Sequence, residues 1–113
     1  MTTDDLVVEA VRETEGYTVR WSGELDLLTA PRAVDSVARL DVAAGDTVRL
    51  VLDGVTFIDS TGVRALLEAR QRVRQCRGEF VLADPSRQVV KVLALTGLAE
   101  LLDMDDTPPK LAG

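Results

Sequence analysis

Apolar positions along this chain change their spacing several times, and each change marks an element. Leu6 to Arg12 is rich in Val and reads as a strand, and Tyr17 to Trp21 alternates Tyr, Val and Trp against Thr and Arg. Between them Glu13-Thr14-Glu15-Gly16 is short, polar and ends in glycine, which is a β-hairpin signal. After Gly23-Glu24-Leu25-Asp26, Thr29 can cap a helix and Pro31 suits its first turn, where a missing N–H costs nothing. Ala30, Val34, Val37 and Ala38 form the expected inward stripe of that helix, with Asp35 and Arg39 as an outward i, i+4 pair. Ala44-Gly45-Asp46 ends the segment.

Val48 to Leu52 is a nearly unbroken run of Val and Leu, as in a strand covered on both faces, and Asp53-Gly54 is expected to stop it. From Val63 the spacing turns helical: Val63, Leu66, Leu67, then Ala69, Val73 and Cys76. Between the two periods, Asp59, Ser60, Thr61 and Gly62 bring the chain to the mouth of that helix. Backbone N–H groups there lack intrahelical partners and the dipole is positive, a natural place for a phosphate. Arg77-Gly78 is a stop, Glu79 to Ala83 a further strand, and Asp84-Pro85-Ser86 a turn leading into a cap. The last helix, from Arg87 to a stop at Gly97, is expected to turn Val89, Val90, Leu93 and Ala94 inward. Leu98 to Met104 reads as a short strand or turn, and the Asp- and Pro-rich end beyond it, from about 105 to 113, as loose, like residues 1–4.

A hairpin followed by strand-helix alternation requires parallel neighbours joined by right-handed crossovers. The expected fold is α/β: one domain over residues 1–113, with a small mixed sheet and about three packed helices.

Composition narrows the chemistry. Hydrophobic residues at 46% and charged residues at 28% describe a globular chain, and the net charge of -6 argues against a nucleic-acid backbone as partner. A single cysteine forbids an intrachain disulfide, so a cytoplasmic setting is expected, and Cys76 on the helical stripe reads as a small buried hydrophobe. No secretion signal or apolar run long enough for a membrane span is visible. The absence of histidine removes the commonest general base, the Ser-His-Asp arrangement and most transition-metal sites. No Walker phosphate loop, dinucleotide glycine pattern or calcium loop is present, so neither a catalyst nor a bound cofactor is expected. Taken alone, Ser60 is most simply a helix-capping hydroxyl and Asp59 a loop residue. Arg64, Glu68 and Arg72 lie one turn apart on an outer face, which could be solvated or could serve a partner.

Four segments in order carry more than any one alone: Gly23-Glu24-Leu25-Asp26, Thr29-Ala30-Pro31, Phe57-Ile58-Asp59-Ser60-Thr61-Gly62-Val63 and Leu95-Thr96-Gly97-Leu98. At these separations the chain resembles the STAS-domain anti-sigma factor antagonists of bacteria, from about Leu6 to Leu102. The resemblance implies a switch in bacterial transcription control. The dephosphorylated protein binds an anti-sigma factor that is also a serine kinase and so releases the sigma factor. Phosphorylation ends the binding, and a PPM-type phosphatase restores it. Carried over, Ser60 is the acceptor with Thr61 as the alternative. Asp26 is the acidic loop residue beside it, and Asp59 the residue before it. The docking surface implied comprises Asp26, Leu27, Thr29, Asp59, Ser60, Thr61, Gly62, Arg64 and Glu68. Magnesium and nucleotide would belong to the kinase. Another use of the same fold, as an adaptor or regulatory subunit of a transporter ATPase without a phosphorylation cycle, is the alternative. The family commonly ends in a further helix, which Thr107-Pro108-Pro109 is too proline-rich to form, so a short or missing C-terminal helix is expected.

Overall fold

The structure, a computed structural model, describes residues 5–98 and 100. Its elements run β1 (Leu6–Glu13), β2 (Gly16–Leu25), α1 (Ala30–Ala38), β3 (Thr47–Ile58), α2 (Ser60–Gln75), β4 (Glu79–Ala83) and α3 (Arg87–Thr96). Every expected hairpin and strand-helix unit forms. The strands lie in the order β1-β2-β3-β4. The hairpin pairs β1 with β2 antiparallel, closing at Glu13 opposite Gly16, whereas β2–β3 and β3–β4 are parallel and joined through α1 and α2. It is the mixed α/β sheet expected.

Strand alternation fixes where the core lies. Val19, Leu50 and Leu82 are register partners across three strands and all are buried, as are Val48 and Phe80 one step along. Trp21 extends that face and is anchored to α1, since its Nε1–H donates to Ser36 Oγ at 2.9 Å. Val51 and Ala83 point the other way and are buried too, so β3 and β4 are covered on both faces, as the Val48 to Leu52 run requires. Removing a side chain such as Leu50 from water contributes about 2 kcal/mol, and the buried set repeats that across four strands and three helices. Helices α1 and α2 pack on each other, and α3 packs on β3.

Four local readings are corrected. β3 does not stop at Asp53-Gly54; it runs 12 residues to Ile58. The register slips where Ser22 meets Gly54, and a Cβ at Gly54 would stand 2.7 Å from Ser22 Oγ, so the glycine admits a close strand approach instead of a turn. In α1 the buried set is Ala30, Ala33 and Val37. The bond from Trp21 draws Ser36 and Ala33 toward the sheet, leaving Val34 half-buried and Ala38 exposed. In α3 only Val89 and Leu93 are buried, while Val90 and Ala94 face solvent, because a helix packed on one strand buries a narrow i, i+4 stripe. Cys76 is exposed: the helical rotation ends at Gln75, and Cys76 occupies the C-cap with its N–H on Val73 O.

The Asp35–Arg39 pair forms, at 2.7 Å, and Ser86 caps α3 through Val89 N at 3.3 Å. Apart from Leu98 and Glu100, the expected apolar finish, the loose ends and the question of a further helix lie outside the described residues.

Candidate functional site

Leu25 and Ile58 are register partners at the ends of the parallel pair β2–β3, so the chain leaves both strands at one edge of the sheet. The residues that follow, Asp26 and Asp59, therefore stand at neighbouring exits. A backbone bond from Asp59 N to Leu25 O, at 3.4 Å, ties them.

Asp26 and Thr29 build the first loop. The carboxylate of Asp26 accepts from the backbone N–H groups of Leu28 and Thr29 at 3.0 and 3.2 Å. The Thr29 hydroxyl accepts from Asp26 N at 3.0 Å and donates to Glu24 O at 2.8 Å. Thr29 is 5% exposed and makes no side-chain capping bond to α1, so the expected helix cap is instead a clamp on the loop. The consequence lies outward. With its polar groups satisfied inside, the loop presents Leu27 and Leu28 at 70% and 81% exposure.

The second loop is a single residue. Asp59, in extended conformation, accepts from Gly62 N at 3.0 Å and is the N-cap of α2. Ser60 is the first helical residue, not the cap that its hydroxyl suggested. It is exposed and its side chain makes no hydrogen bond among the described residues. Thr61 is half-buried. Gly62 is buried because α2 starts hard against the first loop: a Cβ there would collide with the Leu25 carbonyl oxygen and stand 2.8 Å from Ile58 Cγ1.

From Thr61 a groove of about 560 Å³ runs between α1 and α2, with Leu27, Pro31 and Val34 on one side and Arg64, Glu68 and Arg72 on the other. Glu68 pairs with Arg72 at 3.5 Å, while Arg64 makes no ion pair among the described residues. That outer face thus carries one ion pair and, among the described residues, one unpaired cation.

The structure therefore brings Asp26, Leu27, Asp59, Ser60, Thr61, Arg64 and Glu68 to one end and flank of the molecule, with Thr29 and Gly62 buried beneath as supports. Two exposed apolar residues escaped the sequence reading: Leu28, and Phe57 at 44% exposure on the last turn of the β3 pleat. For the first the signal was present, since Leu27-Leu28 is an apolar pair between polar turn residues, outside either period. For Phe57 it was not: strand alternation would put it on the face of the buried Val55, and the register shift between Gly23 and Glu24 on the neighbouring strand turns it outward. No helix among the described residues is long and apolar enough to cross a membrane.

Comparison with known proteins gives a consistent result. The anti-sigma-B factor antagonist of Listeria monocytogenes is 28% identical over 102 residues, covering 90% of both chains. That of Bacillus subtilis is 25% identical over 97 residues, 86% of this chain and 88% of its own. Among solved structures, an anti-sigma factor antagonist from Mycobacterium paratuberculosis superposes with a TM-score of 0.76 at 21% identity, covering 95% of this chain and 92% of that one. The anti-sigma factor antagonist SpoIIAA in its unphosphorylated form gives 0.70 at 23% identity, with coverage of 91% and 90%. The family model described as STAS domain matches residues 7–110, nearly the whole chain, and the chain belongs to that family.

Proposed function

We propose that the protein is an anti-sigma factor antagonist switched by phosphorylation of Ser60. Unphosphorylated, it docks an anti-sigma factor with serine kinase activity and so frees the sigma factor. Phosphorylated, it lets go, and a PPM-type phosphatase resets it. The observation that carries this reading is the separation of roles at the α2 entrance, where Asp59 caps the helix and leaves the Ser60 hydroxyl exposed and unbonded. An acceptor must reach a kinase active site without the fold giving way, and this serine meets that condition; Thr61, half-buried, meets it less well.

The surroundings suit a protein partner. Leu27, Leu28 and Phe57 offer apolar anchors, and Arg64 and Glu68 a polar flank. A phosphate adds about -1.5 to -2 charges at pH 7. Placed beside Asp59 and Asp26 in a desolvated contact, it brings like-charge and desolvation terms, and about 1.4 kcal/mol of them already costs tenfold in affinity. The relatives named as anti-sigma-B factor antagonists support the same assignment.

The test is the intact mass of the protein after incubation with Mg-ATP and candidate anti-sigma kinases of the same genome, beside Ser60→Ala. One added phosphate that is absent from the variant, with loss of kinase binding, is the expected result. Phosphate on Ser60→Ala would move the acceptor to Thr61. Binding without any phosphorylation would replace the switch by a constitutive adaptor.

A further inference from the structure

We infer that Arg64 is the internal partner of a phosphate on Ser60, so that phosphorylation withdraws a cation from the docking flank as well as adding negative charge. This rests on the reading of Ser60 as the acceptor and concerns what the phosphate does once attached.

Ser60 and Arg64 stand four residues apart in α2, which places their Cβ atoms about 6 Å apart on one side of the helix, and both are exposed. Arg64 has a carboxylate-bearing neighbour one turn on, Glu68, yet the structure pairs Glu68 with Arg72. Helix geometry accounts for that choice. An acidic residue N-terminal to a basic one at i, i+4 is the favourable orientation, so Glu68 with Arg72 outcompetes Arg64 with Glu68. Arg64 is left without an ion pair among the described residues. A phosphate at position 60 would supply what Arg64 lacks, an anion four residues toward the N-terminus, in the favourable order. The guanidinium fork also matches phosphate oxygens better than an ammonium would.

The backbone leaves the phosphate few other takers. Asp59 Oδ1 already accepts from Gly62 N, and Val63 N bonds Asp59 O, so the helix N-terminus is partly filled by a carboxylate that repels a second anion. The guanidinium is the one neighbour along α2 within an i, i+4 step that can neutralise it. In the unphosphorylated protein that guanidinium borders the α1–α2 groove with Leu27 and Thr61, where an incoming partner meets it. Folding it back toward position 60 changes the flank from mixed to acidic.

The experiment incorporates phosphoserine at position 60 during translation and follows its second ionisation by ³¹P NMR in the otherwise unchanged protein, in Arg64→Gln and in Arg74→Gln. Pairing with Arg64 holds the phosphate in its dianionic form, so the ionisation in Arg64→Gln is expected about 0.3 pH units higher. Arg74→Gln, nearly four turns from position 60, exposed and without an ion pair among the described residues, is expected to stay within about 0.1 unit. No shift in Arg64→Gln, or equal shifts in both variants, would overturn the proposal. The phosphate is installed without a kinase, so this outcome is independent of whether the kinase cycle itself is found.

Discussion

Gly62→Ala tests whether the α2 entrance is held where the structure puts it, because two effects of opposite sign meet at that position. Gly62 is the third residue of the helix, and alanine is the better helix former by up to about 1 kcal/mol, so an unobstructed site would gain stability. The site is obstructed. The new methyl would collide with the Leu25 carbonyl oxygen and crowd Leu25 Cγ at 3.0 Å and Ile58 Cγ1 at 2.8 Å. The first is backbone at the end of a paired strand and cannot rotate away, so relief requires α2 to lift from the β2–α1 loop and stretch the Asp59 N to Leu25 O bond. Overpacking of this kind costs about 1 to 3 kcal/mol, and a backbone obstacle belongs at the upper end. The net expectation is a loss of roughly 2 kcal/mol. Urea unfolding followed by the fluorescence of Trp21, which is buried and is the single tryptophan, reads this as a midpoint lowered by about 1 M at an unchanged slope. A midpoint equal to or above that of the parent would mean that propensity prevails and that the close approach of α2 to Leu25 is wrong.

Asp59→Ala removes the α2 cap and is expected to lower stability by about 1 kcal/mol, with Asp59→Asn retaining most of it, by thermal unfolding. Ser36→Ala strands the Trp21 indole N–H against the core and is expected to cost about 1 to 3 kcal/mol in urea, more than a surface serine would. Leu28→Ser is expected to leave unfolding within about 0.5 kcal/mol while weakening docking of the proposed anti-sigma partner at least tenfold by calorimetry, whereas undiminished affinity would remove Leu28 from the proposed interface.

What could be read from the sequence was what repeats. The hairpin, the parallel strands and the three helices follow from period and punctuation, and Val48 to Leu52 announced a strand covered on both faces. What could not be read was set by contacts between distant residues. Gly54 looks like a stop because glycine usually punctuates, yet Ser22 on the neighbouring strand makes it a point of close approach. The inward face of α1 is turned by the need of Trp21 for an acceptor, which no spacing within α1 records. Cys76 keeps the helical spacing but lies one residue past the last helical one, and boundaries are where periodicity fails. At the site, the motif Asp59-Ser60-Thr61-Gly62 was visible, but which residue caps was not. Ser and Asp are equivalent caps in propensity, and the register of β3 running to Ile58 decides that Asp59 arrives first.

That one-residue difference bears on how a switch can work at all. Had Ser60 been the cap, a phosphate on its oxygen would have displaced the bond that starts α2, and the signal would have been coupled to stability at about 1 kcal/mol or more. With Asp59 as cap, the bond to Gly62 N is retained whatever becomes of the neighbouring hydroxyl. The dipole of α2 favours an added anion by about 0.3 to 1 kcal/mol, and repulsion from the Asp59 carboxylate opposes it, so the two tend to cancel in the folded state. Free energy that is not spent on the fold is expressed at the surface. In the proposed switch the groove, the exposed leucines and Arg64 would experience the new charge directly, and a partner that requires them would read it as a change in affinity.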